Sequence, residues 1–388
     1  MLTRQRIVTY GIPTAALATI ALAATLSPWV RPTTTSTRQP MSHPPEPPTI
    51  DDGKRQVDVV FAVDTTGSMG GLLDGAKRTV WSIAKHIQKT DSNASVRIGL
   101  VAYRDVGDDY VTKDFALTTD LDAVFAELSS FQAAGGGDTP ENVDAALDVT
   151  LHKMQWRPGA KKLVFLVGDA PPASRGEVPT FDVLAREAGA KNIIINTIRA
   201  GHDGETAVAF QQIASLGKGE FSSIQQDGGV QQIATPYDDK LAELSARVDS
   251  TMIIAGDEGV RREYKAKMAA VAEAAPAAAA DRAAYYAGAG GGKGGSRSKD
   301  DLVEGVATGS MSIEELDEGD LPSEYRGMDR GALKAEVEKR AAERQAAQKE
   351  IFELAKKRDE FLENEAKNRS GEGGFDVKVK QALEVQLK

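Results

Sequence analysis

The chain has 388 residues, 27% of them charged, a net charge of −10 and no cysteine. That length holds a sizeable core and leaves room for more than one structural region. The acidic balance argues against nucleic acid as the main partner, and the lack of cysteine excludes disulfides, cysteine-ligated zinc and thiol catalysis.

Arg4 and Arg6 precede an uncharged run from Ile7 to Val30 with an apolar heart at Ala15 to Leu26. A cationic start, an apolar stretch and the small-x-small site Ala21-Leu22-Ala23 describe a secretory signal cleaved near Ala23 or Ala24. The same run is just long enough to span a bilayer as a retained anchor. Either way residues 1–30 predict an exported body, periplasmic, cell-surface or secreted, with the cationic end left inside. Residues 31–53 carry Pro44-Pro45 and Pro47-Pro48 after a Thr/Ser cluster and read as a semi-extended linker.

From Val57 to Val63 the chain is β-branched or aromatic with one polar interruption, Asp58, the pattern of a central strand covered on both faces. It stops at Asp64-Thr65-Thr66-Gly67-Ser68, which offers a carboxylate and two hydroxyls at i, i+2 and i+4, hard oxygens suited to Mg²⁺, Ca²⁺ or Mn²⁺. A helix is predicted over Leu72 to Lys89. Val96 to Asp105 is a second buried strand ending on a carboxylate. Gly135-Gly136-Gly137-Asp138-Thr139-Pro140-Glu141 is a flexible loop running into a helix with Val143, Ala146, Leu147 and Leu151 on its apolar positions. Strands follow at Lys161 to Asp169 and Lys191 to Ile198, with a short one at Phe221 to Ile224. Helices are predicted at Phe181 to Ala188, Thr206 to Leu216 and Tyr237 to Val248. This alternation predicts an α/β fold with a doubly wound, mostly parallel sheet over residues 54–252. Ligands of such sheets collect at the carboxyl ends of the strands, where Asp64, Asp105 and Asp169 are expected to converge. Carboxylates that close repel one another, and a divalent cation removes the cost.

The Asp64-x-Thr66-x-Ser68 pattern, the Gly-rich loop and the strand ending at Asp169 resemble, in order, the von Willebrand factor A (VWA) domain and its metal-ion-dependent adhesion site. The resemblance implies direct ligation by Thr66 and Ser68, with Asp64 and Asp169 acting through coordinated water or hydrogen bonds. The Asp138-Thr139-Pro140-Glu141 run is similar to the loop of integrin β-subunit I-like domains. That likeness makes Glu141 the direct carboxylate ligand. It places Asp105, Asp138 and the Pro140 carbonyl around a second cation, while Thr139 stands beside Asp138 as an alternative ligand. The cofactor implied is a divalent cation, Mg²⁺ first, with Mn²⁺ or Ca²⁺ as alternatives. The implied partner is a protein that completes the ion's shell with an Asp or Glu side chain.

Residues 253–388 change character. Glu258 to Ala287 is Ala-rich and helical with an interruption at Pro276, a Gly-rich breaker covers 288–295, and Met328 to about Lys367 forms a long Ala/Glu/Lys/Arg block. Written in heptads, the seam of that block is Leu333, Val337, Arg340, Arg344, Ala347, Ile351, Leu354, Arg358 and Phe361. Three arginines argue against a strong self-associating coiled coil. The block reads as a solvated helical spacer or as half of a hairpin packed on the earlier helix. The Ser-Glu-Tyr-Arg segment, the long helix and the closing Phe-Asp-x-Lys-Val stretch resemble the tails of certain exported bacterial VWA proteins.

Catalysis finds little support in the sequence. Thr66-Gly67-Ser68-Met69-Gly70 lacks the first glycine of a serine-hydrolase elbow. No His-Glu-x-x-His occurs, and no Walker lysine follows the glycines. The leading expectation is a non-catalytic, extracytoplasmic module that binds a protein through its cation. The alternatives are an envelope component assembling through its C-terminal helices and, less favoured, a metal-dependent hydrolase.

Overall fold

The computed structural model describes residues 53–137, 140–288, 297–367 and 373–388. The segment 1–30 expected to be a signal or anchor, the expected linker up to residue 52 and nearly all of the Gly-rich breaker lie outside them. Among the described residues no helix is long and apolar enough to cross a membrane.

The first strand, β1 (Arg55–Asp64), is buried at every residue from Val57 onward, as its unbroken apolar run requires of a strand covered on both faces. It sits inside a six-stranded sheet of order β3-β2-β1-β4-β5-β6, where β2 is Ala94–Tyr103, β3 Thr112–Thr118, β4 Lys161–Gly168, β5 Ile193–Ala200 and β6 Lys218–Ile224. β3 runs antiparallel to β2; every other neighbouring pair is parallel. The order reverses at β1, so the switch point of the sheet lies at its carboxyl end, between the loops that follow β1 and β4. The edge strand β3 was not expected from the sequence. Its Thr112, Lys113 and Asp114 are partly or fully exposed, so it lacks the apolar run that marks a central strand, and polar edges of this kind discourage pairing with other chains.

Alternate residues of β1 feed two cores. Val57, Val59, Phe61 and Val63 face a cluster with α1 (Gly70–Thr90) and α2 (Leu121–Ser130). Val60 and Ala62 face a second cluster with α3 (Val143–His152), α4 (Phe181–Ala190) and α5 (Gly204–Leu216). Asp58, fully buried at the base of β1, accepts from Arg97 at 2.8 and 3.0 Å and from Arg157 at 2.8 and 2.9 Å. Asp58→Ala is expected to strand two buried guanidinium groups and lower the unfolding free energy by about 3–5 kcal/mol, read from the urea midpoint.

The C-terminal third packs back onto this sheet domain, which corrects the solvated-spacer reading. After α6 (Asp238–Ser250) come α7 (Glu258–Ala272), α8 (Pro276–Gly288), α9 (Leu302–Thr308), α10 (Arg330–Lys367) and α11 (Phe375–Gln386). Pro276 opens α8, the position where a missing N–H costs nothing. On α10 the buried positions are Leu333, Val337, Arg344, Ala347, Ile351, Ala355 and Arg358, close to the heptad seam, and the helix packs against α6, α8 and α9 of its own chain rather than forming a coiled coil. Two of the three seam arginines meet acids of other helices and loops: Arg344 donates to Asp301 at 2.5 Å and to the Thr251 hydroxyl at 2.8 Å, and Arg358 donates to Asp238 at 2.7 Å and Asp281 at 2.6 Å. From α8, Arg282 reaches Asp122 on α2 at 2.6 Å and Asp249 on α6 at 2.7 Å. Finally, α11 lays Phe375, Val379, Ala382, Leu383 and Leu387 into the first core, its Phe375 ring 6.0 Å from that of Phe61.

Candidate metal centre

At the end of β1 the backbone turns sharply, and Asp64 fixes that turn. Its Oδ1 accepts from the Thr66 backbone N–H at 2.8 Å and from the Thr66 hydroxyl at 2.7 Å, the side-chain-to-backbone closure that aspartate favours in turns. A single turn of 3-10 helix, Gly67–Met69, then leads into α1. Having given its proton to Asp64, the Thr66 hydroxyl keeps lone pairs for another centre. The Ser68 hydroxyl lies 3.5 Å away. Oxygens held at about 2.0–2.1 Å by one octahedral Mg²⁺ sit about 3 Å apart, so a shift of about half an ångström lets the two hydroxyls share an ion.

The strand register brings the carboxylates in. Val63 pairs with Val167, which sets Asp64 beside Gly168 and one residue from Asp169. Asp169 Oδ2 accepts from Gln226 Nε2 at 2.6 Å, and that amide also donates to the Ser68 carbonyl at 3.4 Å. Glu141, almost fully buried, forms a parallel bridge with Pro172: its N–H donates to Pro171 O at 3.0 Å and its carbonyl accepts from Ala173 N–H at 2.7 Å. The segment before α3 is thereby stitched to the loop after β4. Tyr103 lies beneath all three acids and donates to Val167 O at 3.0 Å. Its hydroxyl is pushed well above the usual phenol range by burial and by the charges of Asp64, Asp169 and Glu141. Gly168 is required here, because a Cβ at that position would run into the Tyr103 hydroxyl.

Asp64 itself is pushed up to about 7: burial disfavours its charge most, the two Thr66 hydrogen bonds oppose this, and the neighbouring Asp169 raises it further. Its Oδ2 is buried with no hydrogen-bond partner among the described residues. A buried carboxylate oxygen left over beside a second carboxylate and two hydroxyls has the chemistry of a cation cradle, so the residues fit the ion that the sequence implied. Among the described residues no group of three or more His, Cys, Asp or Glu side chains is placed to hold a metal by itself. An ion here depends on the hydroxyls of Thr66 and Ser68.

The Gly-rich loop closes the third side. Ala134 N–H donates to Thr65 O at 3.1 Å and Gly67 N–H to Gly135 O at 3.3 Å. Gly136 has φ +81° and a Cβ there would come within 3.1 Å of Thr66 Cβ, so the loop approaches this closely only as glycine. The Asp108 carboxylate accepts from Gly136 N–H at 3.3–3.4 Å. Asp138 and Thr139 lie outside the described residues, and Pro140 is half-buried. Asn142, not an acid of the loop, caps α3, accepting from Ala145 N–H at 3.0 Å.

Asp105 has a partner of its own: both of its oxygens are gripped by Arg175, whose Nε donates to Oδ1 at 3.0 Å and whose Nη2 meets Oδ2. A guanidinium already neutralises this carboxylate, which removes the repulsion that was to recruit metal. The supporting residues Asp108, Tyr110, Arg175 and Gln226 were not singled out in the sequence. Tyr110 meets the Thr65 hydroxyl at 2.6 Å and carries Arg104 over its ring at 4.4 Å. Only the charged run Arg104 to Asp109, directly after a buried strand, could have signalled this supporting set.

Residues 58–236 match the family model of the von Willebrand factor type A domain. Over those residues, a little under half of the chain, the sequence is similar to VWA domains. Among curated proteins it is 30% identical over 118 residues to the alpha-protein kinase vwkA of Dictyostelium discoideum, covering 30% of this chain. It is 26% identical over 186 residues to a putative ariadne-like RING finger protein, R811, of Acanthamoeba polyphaga mimivirus, covering 44% of this chain. The match spans only 18% of the length of either relative. Among solved structures, the VWA domain of SpRpn10 is 14% identical with a TM-score of 0.35, the match covering 44% of this chain and 88% of that one.

Proposed function

We propose that the VWA domain holds one divalent cation, Mg²⁺ or Mn²⁺ before Ca²⁺, and through it captures a carboxylate of a protein partner. Thr66, Ser68 and Glu141 supply direct oxygens, while Asp64 and Asp169 act through water and hydrogen bonds. The observation that carries this reading is the buried, unpartnered Asp64 Oδ2 beside Asp169 and the hydroxyl pair. The direct ligands bring a single formal negative charge, so the ion stays electrophilic toward an Asp or Glu of the partner. The N-terminal segment 1–30 supports an extracytoplasmic setting for this capture.

Two of the described histidines are engaged away from Ser68: His86 pairs with Glu384, and His152 bonds Asp148 and Glu187 on the outer surface of α3 and α4. Assembly through the C-terminal helices is disfavoured because most of their large apolar side chains are packed within this chain, Phe352, Val377 and Val385 being exposed exceptions. Calorimetry on the full chain is expected to show Mg²⁺ or Mn²⁺ uptake that Ser68→Ala weakens at least tenfold while the melting temperature in chelator stays within a few degrees. Partner capture should vanish in EDTA and return with Mg²⁺. Capture that persists in EDTA, or equal cation affinity in Ser68→Ala, rules the reading out.

A further inference from the structure

Asp169 is gripped by a residue that lies outside the three loops of the centre. Gln226, at the surface after β6, donates from Nε2 to Asp169 Oδ2 at 2.6 Å and to the Ser68 carbonyl at 3.4 Å. Its Oε1 rests against Gly201, where a Cβ would run into it. One amide therefore spans the carboxyl ends of β4 and β1. Holding one oxygen sets the plane of the Asp169 carboxylate and with it the direction of the other oxygen, as outer partners do for the residues around a metal.

The turn that carries Gln226 leans on two other elements. Within it, Gly228 N–H donates to Gln225 O and Gly229 N–H to Asp227 Oδ1, both at 2.9 Å, and the two glycines have φ of +83° and +58°, a backbone that glycine adopts without strain. On one side α1 supports the turn through Gly71 and Gly75, one helical turn apart: a Cβ at Gly71 would come within 2.9 Å of Asp227 Cα, and one at Gly75 within 2.9 Å of Val230 Cγ2. On the other side stands the start of α11. Phe375 N–H donates to Gly228 O at 2.8 Å, and a Cβ at Gly374 would run into Gly229 O. The helix is itself anchored in the first core by Phe375, Val379 and Leu383, all buried.

We propose, resting on the cation reading above, that Gln226 is a positioning residue of the centre and that α11 is the clamp that keeps it there. With α11 docked, the turn is pinched between α1 and Gly374 and presents its amide to Asp169. With the start of α11 displaced, the turn loses the bond from Phe375 and the wall at Gly374, the amide leaves Asp169, and the ion is held less tightly. Cation affinity is thus governed by a helix that supplies no ligand.

The test is an Mn²⁺ titration of the full chain by calorimetry, with the melting temperature in chelator reporting that each variant is folded. Gln226→Leu keeps the bulk, removes the donor and is expected to weaken Mn²⁺ binding about tenfold. Gly374→Ala should weaken it by a similar factor; φ at this position is −74°, which suits any residue, so the effect comes from the contact with Gly229 alone. Gly71→Ala pushes the same turn from the α1 side and serves as the second clamp variant, since alanine is favoured over glycine inside a helix. Combined with Gln226→Leu, either glycine variant should add nothing further, because all three act through one amide. Wild-type affinity in Gln226→Leu overturns the positioning role, and full affinity in both glycine variants or additive losses in the doubles overturn the clamp, all while leaving the cation centre standing. No Mn²⁺ uptake by wild type overturns the cation reading and the clamp with it.

Discussion

Phe375→Ala is expected to cost about 3–5 kcal/mol of folding free energy, the usual result of hollowing a buried aromatic site. The residue is 2% exposed, and its ring lies 6.0 Å from Phe61, which in turn stacks on Phe165 at 5.4 Å. Phe61 and Phe165 belong to the two central strands β1 and β4, so Phe375 reaches the middle of the sheet while the rest of α11 lies against α1, β5 and β6. It is also held at both ends: Phe375 N–H donates to Gly228 O at 2.8 Å, and Gln386 exchanges two amide hydrogen bonds with Asn196 on β5 at 2.7 and 3.0 Å. Deleting 373–388 strips Phe375, Val379, Leu383 and Leu387 from the core. At about 1.5–3 kcal/mol for each large apolar side chain this amounts to about 6–12 kcal/mol, comparable with the whole stability of a typical domain. A chain ending at residue 252 is therefore expected to show no cooperative urea transition, although every cation-site residue remains. A cooperative, native-like transition in that shortened chain would refute the role given to α11.

The second large effect concerns pH. In the cation-free chain the proton on Asp64 is held to about pH 7, against 3.8 for an ordinary aspartate. At about 1.36 kcal/mol per pK unit, the folded state binds that proton on the order of 4 kcal/mol more tightly than the unfolded state does. The sign follows directly. Between these two values the folded chain carries more protons than the unfolded one, so this contribution is complete below about pH 4 and is lost as pH rises through about 7. In EDTA the melting temperature should fall from pH 5 to pH 8, and millimolar Mg²⁺ should restore it at the upper end, since the cation replaces the proton. Asp144, pushed up to about 6 chiefly by burial, contributes with the same sign, so the difference between wild type and Asp64→Asn isolates Asp64. The variant should lose both the extra pH slope and the Mg²⁺ response. Cation affinity in wild type should also weaken by up to about tenfold per pH unit below about 7, because proton and metal compete for one carboxylate. A pH-independent affinity would contradict this coupling.

Much of this protein was legible before any coordinates, because central strands buried on both faces leave unbroken apolar runs. β1, β2, β4 and β5 announce themselves in that way, and so does the loop at Asp64, which interrupts such a run with hydroxyls and a carboxylate. The α10 seam was readable too, since Leu333, Val337, Arg344, Ala347, Ile351 and Arg358 recur at helical spacing and are all buried. Local sequence could not say what those positions meet. An arginine on a helix stripe reads as solvated until the fold supplies Asp238, Asp281 or Asp301 from more than 40 residues away. Asp105 and Asp169 look alike at two strand ends, yet one is claimed by Arg175 and the other by Gln226 beside the hydroxyl pair. The sequence alone determined the buried parallel strands, their carboxyl ends and the chemistry offered there, because periodicity and residue type are properties of short segments. Tertiary structure alone decided which acids converge and which helix covers the sheet, because those outcomes depend on charges and apolar faces brought together from distant parts of the chain.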